Sequence, residues 1–466
     1  MGMRRILLLW GALVLIFPAA SLRLTPLPEV QSRPAAAGTL DRDGLVELSL
    51  VLSGVPSQAM PAYRRVLDRW TAEFQTKIDP GWDEARKAEE LLLSLHSHLR
   101  GYSLYQTRLD VLIDQGTFNC VSSALAYMIL GRAVGLDVQA VATPDHAFAL
   151  VRLASGRSVD VETTTKYGFN PGTKTEFTNA FGKTGFAYVP PGNYSQRRNI
   201  GDRQLLGLLV QNQMANDQIA GQPEAAVGPA IDRWIFEGTP EAFKTLIDGF
   251  VNDAAQLNAS QDYLKGLDLV DKMLGWTGPV AEAKQLAWAF LNNQVNILVD
   301  RQDFAGAETL TTSWNNRGLL TEGQSGQIFG LIVDSRLTSN MKTLPPAQVA
   351  SEIEQAFAQG WMTDARRSEL LSFAYGQQVQ RVASEKGPQA AWSYIKSLPA
   401  PIQTLPTLVK AAQIYEYNWG VEVHNRFAQS WNAGKKDQAR QILKDALEIS
   451  PNNALLKRDW SQSQGN

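Results

Sequence analysis

One cysteine, Cys120, stands in a chain of 466 residues. It follows Gly116-Thr117-Phe118-Asn119, a turn, and leads an apolar segment to Val134 in which Leu125, Met128, Ile129 and Ala133 recur at helical spacing. Asn119 can cap that helix, or Thr117 if it starts earlier. A helix N-terminus presents free N–H groups and partial positive charge. Both favour thiolate over thiol, and the N–H groups would also hold an oxyanion formed by attack on a carbonyl.

A thiolate nucleophile needs a proton carrier. His146 is the only histidine between residues 106 and 200, and it opens the apolar segment to Leu153 that reads as a strand. Its imidazole in turn needs an acceptor on the second ring nitrogen. Asp160 and Glu162 lie on the returning strand, across the turn Ala154-Ser155-Gly156-Arg157, and a period of two puts both on one face. Taken singly, Cys120 reads as a buried apolar residue, His146 as a strand-end residue and the carboxylates as a solvated face. Taken together they read as nucleophile, base and orienting acid.

The elements that must position them follow from periodicity. Residues 40–105 read as three helical segments, with Leu45, Leu48 and Leu52 in the first, Tyr63, Val66, Leu67 and Trp70 in the second, and Glu84 to Leu99 as the third. His96 and His98, two apart, do not share a helix face, so no metal pair is expected there. After the Cys120 helix, Gly135 is the expected C′ residue. Val138 to Val141 reads as a short strand, Thr143-Pro144-Asp145 as a turn, and the two strands of the hairpin follow. From about Leu205 the strands stop and helical hairpins begin. Gly434 to Ala439, then Leu443, Ala446, Leu447 and Pro451, resembles the second helix of a tetratricopeptide repeat. Tyr263-x-x-Gly266 and Phe304-x-x-Ala307 are weaker echoes, 41 residues apart.

The run from Gly116 through Cys120 to Gly135-Leu136, then His146-Ala147-Phe148, then Glu162-Thr163-Thr164, resembles the transglutaminase-like superfamily of papain-like cysteine hydrolases. The likeness spans roughly residues 100–190. It implies an α+β transglutaminase-like core with an N-terminal helical extension, here followed by an all-α TPR-like solenoid. It also implies a Cys120–His146–acid triad acting through a thioester, with release to water or to a second amine left open. The family's acid is usually Asp in Asp-x-Thr. In that register this chain has Glu162, with Asp160 two residues earlier, and both stay candidates. The family's oxyanion side chain is not placed by the pattern. Tyr105, Gln106 and Gln115 are upstream candidates. No calcium loop is visible, and no cofactor or metal is implied.

The remaining features frame that reading. Arg4 and Arg5 precede an apolar run from Ile6 to Ala20, which reads as a signal peptide or retained anchor. The expected location is therefore exported, periplasmic or anchored to a bacterial inner membrane and facing outward, with the membrane touched only through this segment. Residues 21–39 read as a Pro/Ala-rich linker, 40–200 as the catalytic domain (helical lead 40–105, core 106–200), and 205–466 as the repeat region. Lys and Arg (44) nearly balance Asp and Glu (46), so no nucleic-acid partner is expected. Residues 163–194 carry aromatics and glycines that would anchor a loop or line a substrate groove. The expected function is acyl transfer from, or hydrolysis of, a peptide or amide bond through a Cys120 thioester, with a protein partner on the helical repeats. A non-catalytic envelope scaffold is the alternative.

Overall fold

The computed structural model describes residues 22–35, 39–171, 195–341 and 343–464. The N-terminal apolar run lies outside the described residues. So do five aromatics of the 163–194 stretch: Phe177, Phe181, Phe186, Tyr188 and Tyr194. Two compact units divide the chain between Leu286 and Ala287.

The first unit opens with α1 (Pro28–Gln31), α2 (Arg42–Leu52), α3 (Met60–Gln75) and α4 (Glu84–His96). Asp41 and Asp83 cap α2 and α4, each accepting a backbone N–H at 2.7 Å. Within the Pro/Ala-rich segment, the Leu27 N–H donates to Asp232 at 2.8 Å, and the same carboxylate pairs with Arg23. Then come β1 (Gly101–Tyr102), α5 (Leu109–Gln115), β2 (Thr117–Phe118), α6 (Cys120–Ala133), β3 (Asp137–Ala142), β4 (Ala147–Arg152), β5 (Ser158–Val161) and β6 (Arg198–Ile200). Strands β1 and β2 pair in parallel. The other four form one antiparallel sheet in the order β5-β4-β3-β6.

Helix α6 is the centre of this unit. Every residue from Cys120 to Gly131 is buried. A helix apolar on all sides has no solvent face, so it must be covered all round. Helices α2 to α5 and strands β3 and β4 supply that cover. Leu136 N–H returns to Gly131 O at 2.9 Å, with Gly135 at φ +79° ending the helix. The unit continues through α7 (Asp202–Ile219), α8 (Pro223–Glu237), α9 (Pro240–Ala259) and α10 (Tyr263–Thr277). Asp202 accepts from both Arg132 guanidinium nitrogens, at 2.6 and 2.8 Å, and from Leu40 N–H at 2.8 Å. One carboxylate thus ties α6, α7 and the start of α2.

Helix α11 (Ala281–Asp300) contains the division point. The second unit continues with α12 (Phe304–Asn315), α13 (Glu322–Asn340), α14 (Pro346–Ala358), α15 (Asp364–Ser397), α16 (Ala400–Gln403), α17 (Pro406–Asn432), α18 (Lys436–Ile449) and α19 (Ala454–Gln464). Its α18 buries Ala439, Leu443 and Ala446. These join Trp392, Trp419, Val423, Phe427 and Leu456 in one apolar cluster. A turn of one shape recurs before four helices of the chain. A residue at positive φ (Gly221, Gln261, Gln302, Gly434) is followed by one with ψ between 57° and 67°.

The expected fold class, an α+β transglutaminase-like core with an all-α tail, is corrected. Helices make up 69% of the described residues and strands 6%, in small sheets, so the described part of the chain is mostly helical. Periodicity placed β3, β4 and β5 correctly as local segments, but it carries no information on how many strands join them or what covers them. The longest ladder, β3 with β4, spans six residue pairs. Helix α6 packs against both of its strands, and helices make up most of the structure around so small a sheet.

Candidate active site

Asn119 is the N-cap of α6. Its side chain accepts the Val121 and Ser122 N–H groups, both at 3.0 Å, while Ser122 Oγ accepts the Asn119 N–H at 3.0 Å. This reciprocal cap holds Cys120 as the first helical residue, with its thiol free and nearly closed to solvent (9% exposed).

The sheet delivers the histidine and the acid. His146 precedes β4, and its carbonyl accepts the Thr143 N–H at 2.9 Å across the turn. In the β4–β5 register Leu150 opposes Asp160 and Ala149 opposes Val161. One more step along β5 sets Glu162 beside the start of β4. His146 Nε2 and Glu162 Oε2 are 2.7 Å apart. The other carboxylate oxygen of Glu162 accepts both Thr164 Oγ1, at 2.7 Å, and the Thr164 N–H, at 3.0 Å.

The electrostatics follow from burial set against this partnership. Burial pushes the His146 imidazolium down, but the Glu162 charge, the contacts with Cys120 and Glu162, and the Cys120 charge together hold it well above its ordinary value of 6.5. Burial likewise pushes Glu162 up. The facing His146 charge and the His146 and Thr164 hydrogen bonds outweigh it and hold the carboxyl below its ordinary 4.5. Glu162 is therefore an ionised acceptor and His146 Nε2–H donates to it. That leaves Nδ1 for the Cys120 side chain, whose presence also raises the imidazole.

The two carboxylates that spacing could not separate differ in partner. Asp160 accepts from Arg197, at 2.7 Å to Nη2, and that guanidinium lies 5.3 Å over the Phe148 ring. Asp160 is tied to the segment entering β6, whereas Glu162 meets the imidazole.

A set of unforeseen residues locks the acid segment to α6. Thr163 Oγ1 and Ser123 Oγ are 2.9 Å apart, and His96 Nε2 donates to Thr163 O at 3.0 Å. Burial holds His96 below its ordinary value, which suits a neutral donor. Glu162 N–H donates back to Gly168 O at 2.8 Å. A Cβ on Gly168 would stand 2.0 Å from Glu162 O, so only glycine fits there. Thr164 was visible in the sequence as the Thr of the Glu162-Thr163-Thr164 run. His96 and Ser123 had no local signal, because their roles depend on a partner far along the chain.

None of the three upstream oxyanion candidates is buried with its polar group unused. Gln106 spends its amide on Arg108 O and Thr117 O, at 2.8 and 3.2 Å. Tyr105 and Gln115 are exposed. Among the described residues, no group of three or more His, Cys, Asp or Glu is placed to hold a metal ion, and no helix is long and apolar enough to cross a membrane.

No protein-family model matches the chain, and no curated protein matches it. Among solved structures, the chain is similar to menin, in a crystal structure that reveals menin's binding site for the Mixed Lineage Leukemia protein. That likeness has 11% identity and a TM-score of 0.26, and covers 80% of this chain and 97% of menin. A TM-score this low assigns neither fold nor function.

Proposed function

We propose that this chain is a cysteine-type acyl-transfer enzyme, a peptidase, amidase or transglutaminase-like acyltransferase, with Cys120 as nucleophile, His146 as proton carrier and Glu162 as the acid that orients it. One observation carries the reading: the His146 imidazole lies 2.7 Å from the buried Glu162 carboxylate and is coupled electrostatically to Cys120, the first residue of a capped helix. The sequence resemblance to transglutaminase-like proteins supports it independently of fold class.

In this reaction Cys120 Sγ, its proton already held on His146, bonds to the carbonyl carbon of a peptide or amide. The carbonyl π pair moves to oxygen. The pair returns as the C–N bond breaks, and the amine leaves with the proton from His146, giving a thioester. Water or a second amine then takes the acyl group. The Cys120 N–H, which the Asn119 cap leaves unused at the start of α6, favours the oxyanion. The apolar N-terminal run supports export, and the helical hairpins beyond Asp202 support a protein partner or protein substrate.

The test uses the full chain and p-nitrophenyl acetate. An acetyl adduct on Cys120, found by mass spectrometry and lost in His146→Ala, is expected. A chain that releases no p-nitrophenolate beyond background and carries no adduct would instead be a non-catalytic scaffold.

A further inference from the structure

The site described so far lacks a side-chain donor for the oxyanion, and one residue near it has no assigned task. Tyr102 lies on β1, in register with Phe118 of β2, two residues before Cys120. Ser103 N–H closes the strand pair on Phe118 O at 2.8 Å. The Tyr102 ring meets the Phe118 ring edge-on, with centroids 5.9 Å apart. Phe118 meets the ring of His96 in the same way, also at 5.9 Å, and His96 in turn holds Thr163 beside Glu162. Tyr102 is therefore fixed by aromatic packing against Phe118, half-buried, in strand register two residues before the helix N-terminus and within electrostatic reach of Cys120 and Glu162.

Its chemistry suits a donor. Among the described residues no group accepts from or donates to its hydroxyl. A half-buried phenol with no protein partner among them is available to donate to a group bound beside it. Burial, and the negative charges of Cys120 and Glu162 nearby, push its ionisation up to about 12, so it keeps its proton at any working pH.

We propose that the Tyr102 hydroxyl is the side-chain hydrogen-bond donor to the oxyanion formed when Cys120 attacks a carbonyl, completing a hole whose other donor is the Cys120 N–H at the start of α6. This rests on the acyl-transfer reading of Cys120 and His146, and it replaces Tyr105, Gln106 and Gln115 as candidates.

Two reagents separate the roles in the full chain. Iodoacetamide alkylates a thiolate by displacing iodide and develops no oxyanion. p-Nitrophenyl acetate acylates it through a tetrahedral oxyanion, then expels p-nitrophenolate. Tyr102→Phe is expected to slow acetylation of Cys120 by about 10²-fold, the usual cost of one oxyanion donor, while alkylation proceeds at the wild-type rate. The alkylation rate also reports that the variant folds. Acetylation unchanged in Tyr102→Phe, or both reactions slowed equally, overturns the oxyanion role. Failure of the wild type to acetylate overturns the acyl-transfer reading itself, and the Tyr102 role with it.

Discussion

His146 Nε2 stands 2.7 Å from Glu162 Oε2, with the two side chains 8% and 6% exposed. Asp160, two residues earlier on the same strand, is held by Arg197 instead. The orienting carboxylate is thus set by where β5 ends, and Glu162→Gln and Asp160→Asn become a discriminating pair. Glu162→Gln keeps the shape and removes the charge. It should slow acetylation of Cys120 by about 10²-fold or more, in the range of a lost acid–base partner. Asp160→Asn should leave that rate near wild type. A larger effect from Asp160→Asn, measured by p-nitrophenolate release in a single turnover, would reverse the assignment.

The same pair makes stability depend on pH in two directions. The folded value of His146 is raised, so its contribution is fully present below the ordinary 6.5 and is lost as pH rises through the folded value. The folded value of Glu162 is lowered, so its contribution is present above the ordinary 4.5 and is lost as pH falls through the folded value. The coupling energy between His146→Gln and Glu162→Gln, from urea unfolding of the four proteins in the cycle, should therefore be greatest between these limits. It should shrink on both sides. A coupling energy flat from acid to alkaline pH would show that the two groups are not an ion pair.

Gly168→Ala tests the close approach behind the acid. The added Cβ would meet Glu162 O at 2.0 Å and Glu162 Cβ at 2.7 Å, so the backbone around Glu162 must shift. Such overpacking costs about 1–3 kcal/mol. Because it falls on the residue that orients His146, the acetylation rate should drop while the protein still unfolds cooperatively. Thermal unfolding and acetylation measured on one preparation check both, and a normal rate would refute the placement.

Arg132 and Asp202 form the ion pair that ties α6 to α7, with side chains 17% and 3% exposed. Asp202→Ala leaves the guanidinium without its partner and removes an acceptor from Leu40 N–H. A loss of about 3–5 kcal/mol is expected in urea unfolding, as for a broken buried pair. Adding Arg132→Met should recover part of it, because the stranded charge is then gone. No recovery would mean that Arg132 is not the group left unsatisfied.

Much of the site was written in local sequence. The apolar spacing after Cys120 and Asn119 as cap specify a helix that begins at the cysteine, and α6 does begin there. Alternation from His146 and across the Gly156 turn specifies a hairpin, which β4 and β5 form in the register that brings Glu162 to the imidazole. These features rest on contacts within a few residues, where propensity and period decide the outcome.

The rest depended on partners distant in the chain. Asp160 and Glu162 share a strand face and a chemistry. Only the position of Arg197 and the path of the segment after β5 separate them. Tyr102 sits on a strand of two residues, too short to show any alternation, and a parallel pairing to Phe118 alone brings it near Cys120. The fold class was decided in the same way. A strand pattern states that a segment is extended, but the layer built around it depends on what packs there, and here helices do. The sequence by itself determined which residues could be nucleophile, base and acid. The tertiary structure decided which carboxylate meets the base, because hydrogen bonds and charge pairing are settled by distance in space and not by separation along the chain.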